Sequence, residues 1–237
     1  EVDDAWIRRY AGEATSRRNQ EALAPILAPG RELLGRGGKR WRPLVLLSCA
    51  EMFGCPWRQA LPLTALVEIA HNGSLIVDDV EDSSPERRGA PAVHRIFGLD
   101  CALNTGNLMY FLPARAVEQV GLEPARQLSI LRRYVENMVR LHLGQGLDIL
   151  WHRDHDRLPA EPEYLEMCRL KTGSLSRLAA QMGALAAGAS EAQADLLGAV
   201  GGEFGACFQI IDDVANLATG VPGKLRGDDI IEGKKSL

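Results

Sequence analysis

Three carboxylates and two guanidiniums fall in one short stretch, SLIVDDVEDSSPERRGAP: Asp78, Asp79 and Asp82, then Arg87 and Arg88. On a helix Asp78 and Asp82 sit four apart and share a face, with Asp79 beside them. Two like charges at that spacing destabilise a helix unless something positive lies between them. An all-oxygen, carboxylate-rich set suits a hard cation such as Mg²⁺, which keeps several waters and takes oxygens from substrate phosphates. The arginines suit the same phosphates, because guanidinium grips oxyanions bidentately. Taken alone, the motif equally describes a solvated acidic helix face. A second copy separates the two readings. IVDDV at Ile76–Val80 recurs as IIDDV at Ile210–Val214, each at the end of an apolar run, and carboxylates placed there need a partner.

Other polar groups stand at matching places. GRGGKRWRP offers Lys39 and Arg42, with Arg40 between them, where two glycines precede a predicted helix. Open backbone N–H groups with adjacent cations make an anion site. His71 lies seven residues before Asp78, on roughly the same helix face. Lys171 and Thr172 form a short KTG, and Gln209 lies three residues before Asp212, so both can face one cavity. VPGKLRGDDIIEGKK adds Lys224 and Lys234. Each of these also reads as ordinary surface or core chemistry. Together they equip one site for two diphosphates, one held through bridging metals and one gripped directly by Lys and Arg. P-loop, dinucleotide and nucleophile-elbow motifs are absent.

The elements that must position these groups are helical. Alternating β-branched runs are nearly absent, and Ala, Leu, Glu and Arg dominate the long segments. Helices are predicted near 4–28, 40–54, 58–83, 101–120, 124–151, 162–188 and 191–217. Breaks are predicted at Pro29-Gly30, Pro85 to Pro91, Gly121 to Pro124 and Leu158 to Pro162, with Ser190 as a helix cap. The fold class is all-α: a single domain over 1–237, a bundle of long helices around a central cavity. The segments Leu66–Ile76 and Ala206–Ile211 read apolar around much of their circumference, which places both at the centre with their carboxylates facing.

Composition bounds the reading. The chain has 237 residues, 46% hydrophobic and 24% charged, with a net charge of −4 and no basic block, so nucleic acid is not indicated. The stretch around Leu178–Ala189 is too short and weak to span a membrane, and no stable insertion is expected. The start of the chain has no apolar signal-peptide region, and five scattered cysteines form no CxxC pair. Reduced thiols and a cytoplasmic location are the expectation.

GGKRWRP, DDVED followed by RRGAP, GQGLD, KTG and FQIIDDVAN stand in that order. In this the chain resembles the trans-isoprenyl diphosphate synthases (polyprenyl synthetase family). HNGSLIVDDVEDSS, ALNTGNLMYF and LHLGQGLDI are most similar to the eukaryotic-like geranylgeranyl type. The resemblance implies Mg²⁺ as cofactor, isopentenyl diphosphate and an allylic diphosphate as substrates, and a homodimer. It implies Asp78, Asp82 and Asp212 as metal ligands, with Asp79 and Asp213 alongside. Lys39, Arg42, His71 and Arg88 would hold isopentenyl diphosphate. Arg87, Lys171, Thr172, Gln209, Lys224 and Lys234 would contact the allylic substrate. Gly73 and Ser74, small residues about one turn before the metal cluster, leave room for a product longer than farnesyl. Tyr110, Phe111 and His142 are candidates for a deeper floor. Asn216 stands where many relatives carry Asp. The chain stops at Leu237, where relatives continue through further helices, and those helices are expected to be missing here. A class I terpene cyclase and a non-catalytic subunit of a heteromeric synthase stay open as alternatives. The GGK loop, RRG and EGKK count against the cyclase, and intact Asp78, Asp82, Arg87 and Arg88 against the subunit.

Overall fold

The computed structural model describes residues 24–154 and 156–220, with 227, 230 and 233–235 near the C-terminus. Most of the predicted first helix and Lys224 lie outside these residues. Helices run α1 Ala28–Gly35, α2 Trp41–Met52, α3 Trp57–Ala60, α4 Thr64–Glu81, α5 Val93–Phe97, α6 Leu99–Phe111, α7 Pro124–Arg153, α8 Glu161–Lys171, α9 Gly173–Ala186 and α10 Glu191–Ala218. The all-α expectation holds, with one two-residue antiparallel pair, β1 Glu86–Arg87 and β2 Ala90–Pro91, inserted after α4.

Several boundaries differ from the sequence reading for local reasons. Pro29-Gly30 opens α1 instead of breaking the chain, because a proline in the first turn forfeits no intrahelical bond. Pro62 turns the start of the predicted 58–83 helix into a 3-10 turn, and Pro113 does the same after α6. The predicted 162–188 helix is two helices meeting at Thr172. Ser190 caps α10 as expected: its hydroxyl accepts from the Gln193 backbone N–H, and Gln193 reaches back to the Ser190 N–H.

The main core gathers Leu46, Leu63, Leu66, Val67, Leu178, Met182 and Leu185, from α2, α4, α9 and the turn before α4. Helix α4 is a core helix, as read. Helix α10 is not: Ala206 is buried, but Leu196, Val200, Phe204, Ile211 and Val214 form an exposed apolar stripe. The expectation that Ala206–Ile211 lies at the centre is corrected accordingly. Close glycine contacts bring helices together where polar side chains must meet. A Cβ on Gly144 would stand 2.3 Å from the Lys171 backbone nitrogen, so α7 and α8 approach almost backbone to backbone. Among the described residues, Trp57–Glu81 and Glu191–Ala218 are long and apolar enough to cross a membrane by length and composition, more so than the Leu178–Ala189 stretch. The first of them meets that test as a core helix.

Candidate active site

A cavity of about 690 Å³ opens between α2, α4, α7, α8 and α10. Asp78 from α4 and Asp212 and Asp213 from α10 share its wall, so the two acidic repeats do face one space. Around them the cavity collects Lys39, Arg42, His71, Ser74, Arg87, Arg88, Tyr110, His142, Lys171, Thr172, Gln209 and Lys234.

Asp78 is the hub. Arg87 reaches its Oδ2 at 3.1 Å, Lys171 its Oδ1 at 3.3 Å, and the Gln145 amide donates to Oδ1 at 2.9 Å. Burial alone would raise its pKa; Lys171, Arg87 and Lys234 outweigh burial and hold the carboxyl far below the usual range. Lys171 is shared with Asp148 at 2.6 Å, and burial is overcome in the same way, so the ammonium stays charged. Burial would also raise Asp148, but His152 and Lys171 bring it down to about 2.

Asp79 and Asp82 behave differently, and neither lines the cavity. Asp79 is fully buried behind Arg87, whose Nε donates to Oδ1 at 2.6 Å. Burial exceeds that support and pushes Asp79 up to about 6. Asp82 follows the last turn of α4, with Lys234 at 3.1 Å and His152 at 3.9 Å; burial and then Asp78 raise its pKa.

The arginine pair is presented by a two-residue hairpin. Arg88 and Gly89 both have positive φ, 55° and 74°, as a type I′ turn requires. The turn aims Arg88 back at the GGK loop. It donates to Leu33 O at 3.1 Å, to Gly37 O and to Asn72 Oδ1. Arg36 ties the loop to the hairpin from the other side through Arg87 O at 2.8 Å. His71 is half-buried on α4 and lines the same cavity as these cations. Burial, then Arg42, Arg88 and Arg87, hold it well below its ordinary pKa, so it faces the cavity neutral.

On α10, Asp213 accepts from the Tyr164 hydroxyl at 2.5 Å and from Gln209 at 2.7 Å, while Thr172 donates to Gln209 at 2.6 Å. These bonds fix the second acidic motif against α8. Elsewhere on the cavity wall Tyr110 meets His142 edge-on, ring centroids 4.9 Å apart, and Ser74, one turn before Asp78 on α4, lines the same cavity.

Two proposed floor or length residues lie elsewhere. Gly73 faces α6, where a Cβ would stand 2.8 Å from Met109 Cβ. Phe111 is 74% exposed and points out of the chain. Sequence reasoning gave no role to Gln145, Asp148, His152 or Tyr164. The first three recur at helical spacing on α7, a polar face amid apolar residues, and that was the available signal. Among the described residues no three His, Cys, Asp or Glu side chains form a ready metal cage. The donor set nonetheless fits a hard cation: opposed carboxylates, with the remaining oxygens left to water and phosphate.

The fold and this cavity define the class, an all-α isoprenoid synthase. A family model described as Polyprenyl synthetase matches residues 24–237, and the chain belongs to that family. The geranylgeranyl diphosphate synthase of Methanosarcina mazei is 37% identical over 92% of this chain and 69% of its own length. The solved geranylgeranyl pyrophosphate synthetase from Pyrococcus horikoshii superposes with a TM-score of 0.82 at 32% identity, covering 89% of this chain and 64% of that one. A Caulobacter crescentus polyprenyl synthase, solved with calcium and isoprenyl diphosphate, has a TM-score of 0.79 at 27% identity, covering 100% of this chain and 72% of that one.

Proposed function

We propose that this protein condenses isopentenyl diphosphate with an allylic diphosphate, giving a linear trans-prenyl diphosphate, and that geranylgeranyl diphosphate is the product. The observation that carries the reading is one cavity with two unlike cation groups. Lys171, Lys234 and Arg87 are paired to the aspartates of the first motif, while Lys39 and Arg42 line the same cavity with no ion pair among the described residues. A cyclase needs one diphosphate subsite; two substrates need two. Relatives named for geranylgeranyl diphosphate synthesis, and a small Ser74 lining the same cavity as Tyr110 and His142, support the product length.

In this reading Asp78 and Asp212 would hold Mg²⁺ in the cavity, and Asp82, just past the end of α4 and behind the cavity wall, would complete the ligand set of the first motif. When bound, it supplies Lewis-acid neutralisation of the departing diphosphate. Lys171 and Lys234 take the allylic diphosphate, with Arg87, Thr172 and Gln209 close by. Lys39, Arg42 and Arg88 grip isopentenyl diphosphate, and neutral His71 offers a hydrogen bond instead of a charge. The allylic C–O bond breaks, the isopentenyl double bond attacks the carbon it leaves, and the proton lost passes to released diphosphate. Val77, Leu141 and Leu175 line the apolar part of the cavity and keep water from the cation. A homodimer and a cytoplasmic location belong to the same proposal.

The test is product analysis with Mg²⁺, isopentenyl diphosphate and, in turn, dimethylallyl, geranyl and farnesyl diphosphates. Linear C20 diphosphate is expected. A hydrocarbon or alcohol from one allylic substrate alone would favour a cyclase. Binding without turnover would favour a non-catalytic subunit.

A further inference from the structure

The two cation groups of the cavity are held by different means. Lys171, Lys234 and Arg87 are fixed by carboxylates. Lys39 and Arg42 form no ion pair or hydrogen bond among the described residues, and each lies over an aromatic ring. Lys39 Nζ stands 4.8 Å from the Phe208 ring centroid, and the Arg42 guanidinium carbon 4.4 Å from the Trp41 ring. The rings themselves are in contact: Trp41 and Phe208 have centroids 5.0 Å apart with planes at 32°. Phe204, one turn earlier on α10, meets Trp41 edge-on at 5.3 Å and 73°. A chain of contacts therefore crosses from the start of α2 to α10, from Arg42 through Trp41 and Phe208 to Lys39.

Adjacent residues on a helix do not normally face each other. Trp41 and Arg42 nonetheless meet, in the first turn of α2, directly after Arg40, whose backbone is left-handed at φ 46°. Arg42 is only 7% exposed, and its Nε has no hydrogen-bond partner. A buried guanidinium of that kind awaits an acceptor.

A ring face attracts a cation through its quadrupole without neutralising it and without using its N–H groups. A carboxylate in the same place would orient the cation but compete with an incoming anion. We propose that Trp41 and Phe208 are positioning residues, which hold Arg42 and Lys39 by ring stacking for a diphosphate taken up without a bridging metal. This rests on the prenyl-transfer reading above and adds to it how the second diphosphate is selected.

Steady-state kinetics of Trp41→Leu, Trp41→Phe and Phe208→Leu test the idea, with thermal unfolding as a check on the fold. Trp41→Leu is expected to raise KM for isopentenyl diphosphate about tenfold, with kcat within about threefold and the allylic KM unchanged. Trp41→Phe, which keeps a ring, is expected to restore most of the loss. Phe208→Leu should show the same split through Lys39, so the test survives if one variant folds poorly. KM values for both substrates rising together, or a Trp41→Phe variant no better than Trp41→Leu, would overturn the stacking role. A wild-type protein that makes no prenyl diphosphate would overturn the underlying reading as well. Wild-type turnover with an unmoved KM in both leucine variants would overturn only the stack.

Discussion

Asp148 never reaches Asp78, yet it governs the lysine that does. Lys171 stands 2.6 Å from Asp148 and 3.3 Å from Asp78, so the stronger contact anchors the ammonium and the weaker one points it. Asp148→Asn keeps the shape and removes the anchoring charge. A hydrogen bond to a charged group contributes about 1.5–3 kcal/mol, so kcat is expected to fall roughly 10- to 100-fold with the helical signal intact. An unchanged kcat would mean that Asp78 holds Lys171 alone. His71 gives a prediction of the opposite kind. Its folded pKa lies well below the ordinary 6.5 because burial and three arginines oppose the charge. Below 6.5 the unfolded chain binds a proton that the folded chain refuses, so stability is full above that value and is lost as pH falls toward the folded one. Urea unfolding between pH 7 and 5 should show a slope of up to about 1.4 kcal/mol per pH unit from this group, absent in His71→Asn. Equal slopes in the two proteins would place that proton elsewhere.

At the scale of elements, the site depends on how closely α7 and α8 approach, and Gly144 sets that distance. Alanine there would drive a methyl to within 2.3 Å of the Lys171 nitrogen and 2.7 Å of the Leu170 carbonyl carbon, so the helices must part. Overpacking of this kind costs about 1–3 kcal/mol. Gly144→Ala should therefore lower Tm by about 2–12 °C for a chain of this size and reduce kcat, since Lys171 moves with α8. A Tm and kcat like the wild type's would show that the seam has slack. The same seam marks the limit of what could be read beforehand. Asp78 and Asp212 were legible because their types and spacing carry chemistry on single helices, whereas Lys171 was indicated only through the family resemblance. The pairing of Lys171 with Asp148, and of Tyr164 with Asp213, joins residues far apart in sequence, and only helix packing brings them together. Helix positions followed from periodicity, but the prolines at 29, 62 and 113 changed how segments begin and end. Phe111 was misjudged for a related reason: Tyr110 beside it turns inward and Phe111 outward, and the pair alone does not say which.

At the scale of the whole molecule, two apolar helix faces stand exposed among the described residues. One is the α10 stripe; the other is on α7, where Leu128, Val135, Val139, Leu143 and Leu150 are exposed at helical spacing. The α7 face is the better candidate for the proposed homodimer. The Tyr134 hydroxyl donates to the Tyr110 backbone carbonyl and so ties α7 to the end of α6, where Phe111 is exposed as well. Tyr110 and His142, which line the cavity, belong to the same two helices, so a partner seated here would brace that wall from behind. Burying a charge in such a contact without a partner is strongly unfavourable. Val139→Glu with Leu143→Glu should convert a dimer to a monomer of half the mass by light scattering. Val200→Glu on α10 should leave the mass unchanged. Both substitutions are on exposed positions, so each chain should keep its helical content. If the α10 variant dissociates and the α7 variant does not, the interface lies on the other face, and that wall of the cavity is braced by its own chain.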